Sequence, residues 1–169
     1  NLDVSTYRNG DRIREIKTDQ AWEDAGYNKM PAWCYPENEP ENGIIYGKMY
    51  NWYAVNDPRG LCPAGWHVPS KKELDEMKAF LGRDASYKLK SEIGWEEYGN
   101  GTNETGFSAY PAGNRSITGV FIAEGILGIF WTYSEDLSLA WAYKIHSENY
   151  TTLRRTDKGE GLSVRCIKD

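Results

Sequence analysis

The chain has 169 residues, a length at which one domain can bury a substantial core, and we predict a single domain over residues 1–169. Its 20 basic and 25 acidic residues leave a formal net charge of −5, which argues against nucleic acid as a partner. No apolar run approaches the roughly 18 residues of a membrane span, so direct membrane insertion is not expected.

The N-terminal third is predicted to contain short strands and one short helix. Residues 1–17 are typical of two strands joined by an Asn-Gly-Asp turn at residues 9–11, because Asn-Gly favours positive φ. Thr18 is the expected N-cap of a short helix that follows it. Residues 30–43, with three prolines, are predicted to form a loop, and the aromatic stretch 44–55 is compatible with a strand or a helix.

The clearest helix begins after Ser70. Ser70 and Glu73 form an S-x-x-E capping box, and apolar residues at i, i+3 and i+7 then share one face until Gly82. A second short helix is predicted over residues 87–93. Candidate strands follow at residues 106–109, 119–122, 126–133, 140–147, 150–155 and 162–167. This order favours the α+β class, with early helices packed on short, mostly antiparallel strands and with Gly- and Asn-rich loops.

The three cysteines, Cys34, Cys62 and Cys166, allow at most one disulfide within the chain and leave one free thiol. Cys62 lies shortly before the predicted helix and Cys166 lies in the last predicted strand. These two residues are either a disulfide or two buried thiols. Cys34, between Trp33 and Tyr35, is interpreted as a small buried apolar residue, with a reactive thiol as the alternative.

Two groups of residues resemble metal or catalytic sites but are interpreted as structural. Glu37, Glu39 and Glu41 offer oxygen ligands for Ca²⁺, yet a solvated acidic loop is the simpler interpretation. His67, next to Trp66, is expected to be a structural, hydrogen-bonded histidine in the core. No metal site and no cofactor are therefore predicted.

Several motifs follow one another along nearly the whole chain. They are NLDVSTYRNG (1–10), YGKMYNWYAV (46–55), LCPAGWHVPS (61–70), TNETGFSA (102–109), WTYSE (131–135), AW (140–141) and LSVRC (162–166). Through these motifs the chain resembles the Fibrobacter succinogenes major paralogous domain family of bacterial surface and secreted proteins. The resemblance implies an exported protein, located extracellularly or at the outer-membrane surface.

The resemblance also implies a C-type-lectin-like fold, distantly related to the formylglycine-generating enzyme class. In that fold a cysteine just before a helix commonly bridges to one in the last strand, which would pair Cys62 with Cys166. The family's first strand usually begins upstream of Asn1, so this strand would be shortened and would leave an edge that another chain could fill. Sugar-binding C-type lectins hold calcium through Glu-Pro-Asn and Trp-Asn-Asp triplets, and Trp-Asn-Asp does not occur in this sequence.

In C-type-lectin-like domains the ligand surface lies on the late strands and their loops, so the resemblance points to residues 131–155. The candidate ligand-binding residues there are Tyr133, Glu135, Asp136, Tyr143, Tyr150, Arg154 and Arg155. Tyrosine and arginine suit such a surface because they combine a large contact area with hydrogen bonding. Trp131, Trp141 and Ile145 are expected to lie in the core. The alternative is that the candidate residues only cover the outside of a strand.

These expectations lead to a functional hypothesis. It is a non-enzymatic, extracellular ligand-binding or adhesion module of a bacterial surface or secreted protein, with a glycan or a protein as its ligand. A structural subunit of a surface fibre or pilus tip is the alternative, favoured by the shortened first strand. An oxidase akin to formylglycine-generating enzymes is disfavoured, because it needs two reactive cysteines and Cys34 has no obvious partner.

Overall fold

A seven-stranded sheet forms the centre of the protein in a computed structural model that describes residues 1–169. The strands are β1 (Arg14–Glu15), β2 (Ala32–Cys34), β3 (Met49–Tyr50), β4 (Trp66–His67), β5 (Asn114–Arg115), β6 (Phe121–Ile122), β7 (Leu127–Asp136), β8 (Leu139–His146), β9 (Thr151–Asp157), β10 (Leu162–Ser163) and β11 (Ile167–Lys168). The helices are α1 (Asp19–Tyr27), α2 (Pro40–Tyr46), α3 (Trp52–Val55), α4 (Lys71–Leu81) and α5 (Ala85–Leu89). All five helices precede the long strands, which confirms the α+β class.

The strand order in the large sheet is β1-β2-β3-β10-β7-β8-β9. β7, β8 and β9 form an antiparallel meander, whereas β10 runs parallel to β7 and antiparallel to β3. Two small sheets, β4 with β11 and β5 with β6, lie outside it. Because β10 returns to the middle of the large sheet, residues from both ends of the chain, such as Tyr7 and Val164, share one core. None of the helices has the length and apolar character that a membrane crossing requires.

Helix α4 follows its local sequence signals closely. The Ser70 hydroxyl accepts a hydrogen bond from the Glu73 N–H at 3.1 Å, and the Glu73 carboxylate accepts one from the Ser70 N–H at 2.7 Å. The helix ends at Gly82, whose φ of +74° suits glycine. Its apolar face packs on the outer side of β7 and β8, with Leu74 buried. The predicted helix is confirmed. Thr18 likewise caps α1, as predicted.

The predicted loop over residues 30–43 is wrong in part. Ala32–Cys34 forms strand β2, fully buried between β1 and β3, and Pro40–Tyr46 forms helix α2. Proline fits the first turn of a helix because no N–H donor is needed there. Strand β2 is stabilised by pairing with β1 on one side and β3 on the other, and the local composition does not reveal these partners.

Two predicted strands also need correction. Residues 106–109 make only one bridge, from Ala109 to Lys90, and the positive φ of Ser108 (48°) interrupts an extended conformation. Residues 162–167 divide between β10 and β11, which belong to different sheets. The predicted second helix is shorter and earlier than residues 87–93, at Ala85–Leu89.

Both faces of β8 are covered along most of its length. Ala140 and Ala142 contact the main core that contains Trp131, while Ile145 faces the other side under α4. Trp131 and Ile145 are therefore buried as predicted. Trp141 is only partly buried, which corrects its assignment to the core, and the Lys71 ammonium lies 5.1 Å from its ring centroid.

Cys62 and Cys166 form a disulfide with their Cα atoms 6.0 Å apart, as the resemblance implied. Beside it, His67 Nδ1 lies 2.6 Å from an Asp169 carboxylate oxygen and Nε2 lies 2.9 Å from Glu73. These hydrogen bonds, first that of Asp169, raise the pKa of His67 above its usual value. The histidine is structural and hydrogen-bonded as expected, but it lies near the surface rather than in the core.

Candidate ligand-binding site

Three of the predicted ligand-binding residues lie together at the turn between β7 and β8. The Arg155 guanidinium donates a hydrogen bond to an Asp136 carboxylate oxygen at 3.0 Å. Glu135 forms an ion pair with Lys158, which follows directly after β9. The opposite charges compensate one another, and the two pairs form a polar rim at this end of the sheet.

Tyr133 is set apart from that rim by a bulge in β7, where the register shifts between Trp131 and Glu135. The Tyr133 N–H donates to the Pro69 carbonyl at 3.1 Å instead of continuing the strand ladder. Its half-exposed side chain lines a small cavity of about 180 Å³ that also contacts Cys62. The bulge therefore turns Tyr133 toward the disulfide and away from the other candidates.

Tyr150 lies at the opposite end of the β8–β9 pair. It precedes Thr151, the first residue of β9, whereas Arg155 of the polar rim lies five residues after Tyr150 along the chain. That separation is roughly 17 Å in an extended chain. The Tyr150 ring stacks on His146 with the ring centroids 4.7 Å apart. Tyr150 and the rim therefore do not form one small site.

Two further candidates do not belong to the rim. Tyr143 is fully buried opposite Phe130 of β7, so its prediction as a surface ligand-binding residue is wrong. Tyr143 shares its face of β8 with Ile145, and α4 covers that face. Arg154 lies on the opposite face of β9 from Arg155 and donates to Glu160 at 3.0 Å.

A cleft of about 460 Å³ adjoins the polar rim, and we call it the tyrosine cleft. Its walls come from α1, α3, the β5–β6 loop, the β7–β8 turn and the end of β9. The lining residues are Glu23, Gly26, Tyr27, Lys29, Tyr53, Ile117, Leu137, Ser138, Asp157, Lys158 and Gly159. Tyr27 is 87% exposed and Leu137 is 91% exposed, so large apolar side chains face solvent at the cleft. Exposed apolar groups that converge in this way are typical of interaction sites.

The floor of the tyrosine cleft depends on a close approach between two glycines. A Cβ on Gly26 would lie 3.2 Å from the Gly159 Cα, so the end of α1 packs directly on the turn after β9. The buried Trp22 side chain fixes this contact, because its indole N–H donates to the Gly159 carbonyl at 3.0 Å. An Asp157 carboxylate oxygen accepts from the Gly159 N–H at 2.8 Å and shapes the turn.

Lys158 anchors the cleft to the core. Its ammonium lies 4.3 Å from the centroid of the buried Trp52 ring and donates to the Leu137 carbonyl at 3.2 Å. The same ammonium pairs with Glu135 of the polar rim. One largely buried cation therefore holds the β7–β8 turn against the end of β9.

The cleft carries both signs of charge next to its tyrosines. Glu23 and Asp157 supply carboxylates, and Lys29 and Lys158 supply ammonium groups. Burial, and then the negative charge of Asp157, raise the pKa of Tyr53, so its hydroxyl is a neutral donor and acceptor at physiological pH. Such a surface offers hydrogen bonds in both directions beside flat rings.

Sequence reasoning missed Tyr27 and Tyr53 because both belong to the early helices rather than the late strands. One local signal was available for Tyr27. Trp22 and Ala25 mark the buried face of α1, and a period of 3.6 residues places Tyr27 away from that face. Nothing local connects α1 with the turn after β9, which lies more than 120 residues along the chain.

The acidic segment, considered for metal binding, and Cys34, considered as a reactive thiol, lie in surroundings typical of residues that support the fold. No group of three His, Cys, Asp or Glu side chains is close enough to hold a metal ion. In the acidic segment, the Asn38 amide donates to the Lys17 carbonyl at 2.7 Å, and Glu37 precedes it with a φ of 53°. Cys34 is fully buried, and burial raises the pKa of its thiol to about 12.

Comparison with known protein families identifies the family of this chain. The chain matches the Fibrobacter succinogenes major domain over residues 1–168. It belongs to this family. Comparisons with curated proteins and with solved structures found no match.

In this Fibrobacter succinogenes major domain, the N-terminal segment is bonded on both sides. The Leu2 N–H donates to the Val164 carbonyl at 2.9 Å, and the Leu2 carbonyl accepts from the Lys48 N–H at 3.0 Å. The open edge expected beside the first residues is thus filled at Leu2 by this chain's own backbone. The outer strands of the large sheet are β1 and β9, and an assembly partner at the N-terminal edge stays a prediction.

Proposed function

We propose that this domain is a non-enzymatic, exported ligand-binding module that binds a glycan through the tyrosine cleft. The single observation that carries the proposal is the position of Tyr27, a largely exposed ring beside a cleft that also contains Tyr53. A flat aromatic ring presents an apolar face, and the apolar faces of sugar rings stack on such surfaces. The cleft volume of about 460 Å³ lies in the usual range for small-molecule sites.

The polar groups of the cleft suit sugar hydroxyls, which both donate and accept hydrogen bonds. The carboxylates of Glu23 and Asp157 are acceptors, and the ammonium of Lys29 is a donor. Because this recognition uses side chains alone, binding is independent of calcium.

The proposal includes a C-type-lectin-like fold and export. The disulfide supports both, because it ties the segment before α4 to the C-terminal segment in the way that the fold commonly does. Disulfides of this kind persist in oxidising compartments such as the periplasm and the cell exterior. The polar rim of Glu135, Asp136 and Arg155 borders the cleft, so part of the late-strand surface contributes to the same face.

The test is a glycan array with polysaccharide pull-downs, performed with and without EDTA. Tyr27→Ala removes the exposed ring of the cleft. Tyr87→Ala is the matched control, since Tyr87 is 45% exposed on α5 and does not line the cleft. We expect retention on at least one glycan that resists EDTA, falls at least tenfold in Tyr27→Ala and stays unchanged in Tyr87→Ala.

Three results would overturn parts of this proposal. Absence of any glycan binding would exclude a glycan as the ligand. Loss with EDTA would show calcium dependence. Loss in Tyr133→Ala with full binding by Tyr27→Ala would move the site to the cavity beside the disulfide.

A further inference from the structure

A second cavity, separate from the tyrosine cleft, lies under helix α4. It measures about 610 Å³ and is bounded by α4, by residues 104–107 and by the C-terminal segment 165–167. Ten of its fifteen lining residues are hydrophobic, among them Leu81, Phe107 and Phe130. The cavity and the tyrosine cleft have no lining residue in common. An apolar cavity of this size can hold the body of a small hydrophobic molecule.

Arg165 places a cation at this apolar cavity without a carboxylate to balance it. Its guanidinium makes no ion pair in the protein and lies 4.8 Å from the Phe107 ring centroid. Nη2 donates to the Asn1 side-chain oxygen at 3.0 Å and to the Ser108 carbonyl at 3.2 Å. Nε is buried and has no hydrogen-bond partner. Burial lowers the pKa of Arg165, because desolvation disfavours the charged guanidinium.

A second unpartnered polar group belongs to the same cavity. Tyr143 lines it and is fully buried, yet its hydroxyl makes no hydrogen bond of acceptable geometry, although Thr151 lies beside it. Six buried side-chain polar atoms in the whole protein lack a partner, and two of them belong to residues that line this cavity. Buried polar groups are normally satisfied, so the unpartnered Arg165 Nε beside an apolar cavity points to a ligand that supplies an acceptor there.

We propose that this cavity binds a small amphipathic carboxylate of the fatty-acid type. The hydrocarbon chain lies among the apolar side chains under α4, and the carboxylate accepts hydrogen bonds from the Arg165 guanidinium. The one acidic residue in the cavity lining, Glu104, lies at the surface and pairs with Lys88 at 3.8 Å. Its charge is therefore partly compensated by Lys88.

The probe is sodium decanoate, used below its micelle concentration, with 1-decanol as the neutral analogue. Binding is followed by isothermal calorimetry and by chemical-shift changes in ¹H–¹⁵N NMR spectra of the intact domain. We expect decanoate to bind at least tenfold more tightly than decanol. The shifted resonances should include those of Leu74, Leu81 and Phe107, while those of Tyr27 stay unchanged.

Arg165→Gln should lower decanoate affinity at least tenfold and leave decanol affinity unchanged. Arg14→Gln is the matched control, since Arg14 is exposed on β1 and does not line the cavity. If Arg165→Gln does not fold, the comparison of decanoate with 1-decanol on the unaltered protein still tests the proposal. Equal binding of the two probes, an unaffected Arg165→Gln variant, or no shift of the cavity resonances would each overturn the proposal.

Discussion

The guanidinium of Arg115 lies 4.7 Å from the ring centroid of Trp22, and both side chains are buried. Phe121 covers the guanidinium from another side, at 4.8 Å. The guanidinium also donates to three backbone carbonyls, those of Ile16, Lys17 and Gly119, at 2.7 to 3.0 Å. One cation therefore joins the segment between β1 and α1 to the β5–β6 loop, which contributes Ile117 to the tyrosine cleft.

Replacement of Arg115 by Lys should destabilise the domain by about 3 kcal/mol. A lysine keeps the charge but cannot reach all three carbonyls with one ammonium, and each buried acceptor left unsatisfied costs about 1–3 kcal/mol. Urea unfolding followed by fluorescence measures the free energy of unfolding. Asp19→Asn is the control, because this exposed partner of Arg115 should contribute less than about 1 kcal/mol. A loss below 1 kcal/mol in Arg115→Lys would contradict the structural role.

Thiol counting should distinguish the three cysteines. The folded protein should not react with Ellman's reagent, because burial raises the pKa of Cys34 to about 12 and keeps the thiol protonated. Unfolding without a reductant should expose one thiol, and unfolding after reduction should expose three. More than one reactive thiol in the unreduced, unfolded chain would contradict the Cys62–Cys166 bond.

Loss of that disulfide should lower stability substantially. It joins residues 104 positions apart, and the chain-entropy model assigns roughly 4–5 kcal/mol to a loop of about this length. The double variant Cys62→Ser/Cys166→Ser should unfold at a correspondingly lower urea concentration. A double variant as stable as the unaltered protein would show that the bond contributes little to folding.

Lys90 should make stability depend on pH above neutrality. Its ammonium is buried, bonded only to the Ser147 carbonyl at 3.0 Å and the Asn149 side chain at 2.6 Å, and burial lowers its pKa from 10.5 to about 8. Between pH 8 and 10 the unfolded chain therefore binds more protons at this site than the folded protein. The contribution of Lys90 to the free energy of unfolding should rise with pH across that window.

The measurement is the difference in unfolding free energy between the unaltered protein and Lys90→Met at pH 7.5 and at pH 9.5. Comparison with the variant removes the effects of Cys34 and the buried tyrosines, which act in the opposite direction at high pH. The unaltered protein should become more stable relative to Lys90→Met as the pH rises. A constant difference would mean that the pKa of Lys90 is the same in both states.

The elements that could be predicted from the sequence are those that depend on interactions between residues close together in the chain. Helix α4 was predictable because Ser70, Glu73 and Gly82 act within a few residues of the backbone groups they satisfy. The strands β7, β8 and β9 were predictable because short apolar and aromatic runs between Gly- and Asn-containing loops are a local pattern. The β7 bulge at Tyr133 and the strand β2 were not, because the bulge depends on the distant Pro69 carbonyl and β2 depends on partner strands on both of its sides.

The sequence by itself determined the α+β class, the α4 helix, the net negative charge and the membership in the Fibrobacter succinogenes major domain family. These follow from composition, from local capping chemistry and from motifs read in order. Only the tertiary structure decided that Tyr143 is buried, that Tyr150 lies far from Asp136, and that Tyr27 borders a cleft with Tyr53. Burial and proximity depend on which distant segments pack together, here α1 on the turn after β9, and no local pattern encodes that packing.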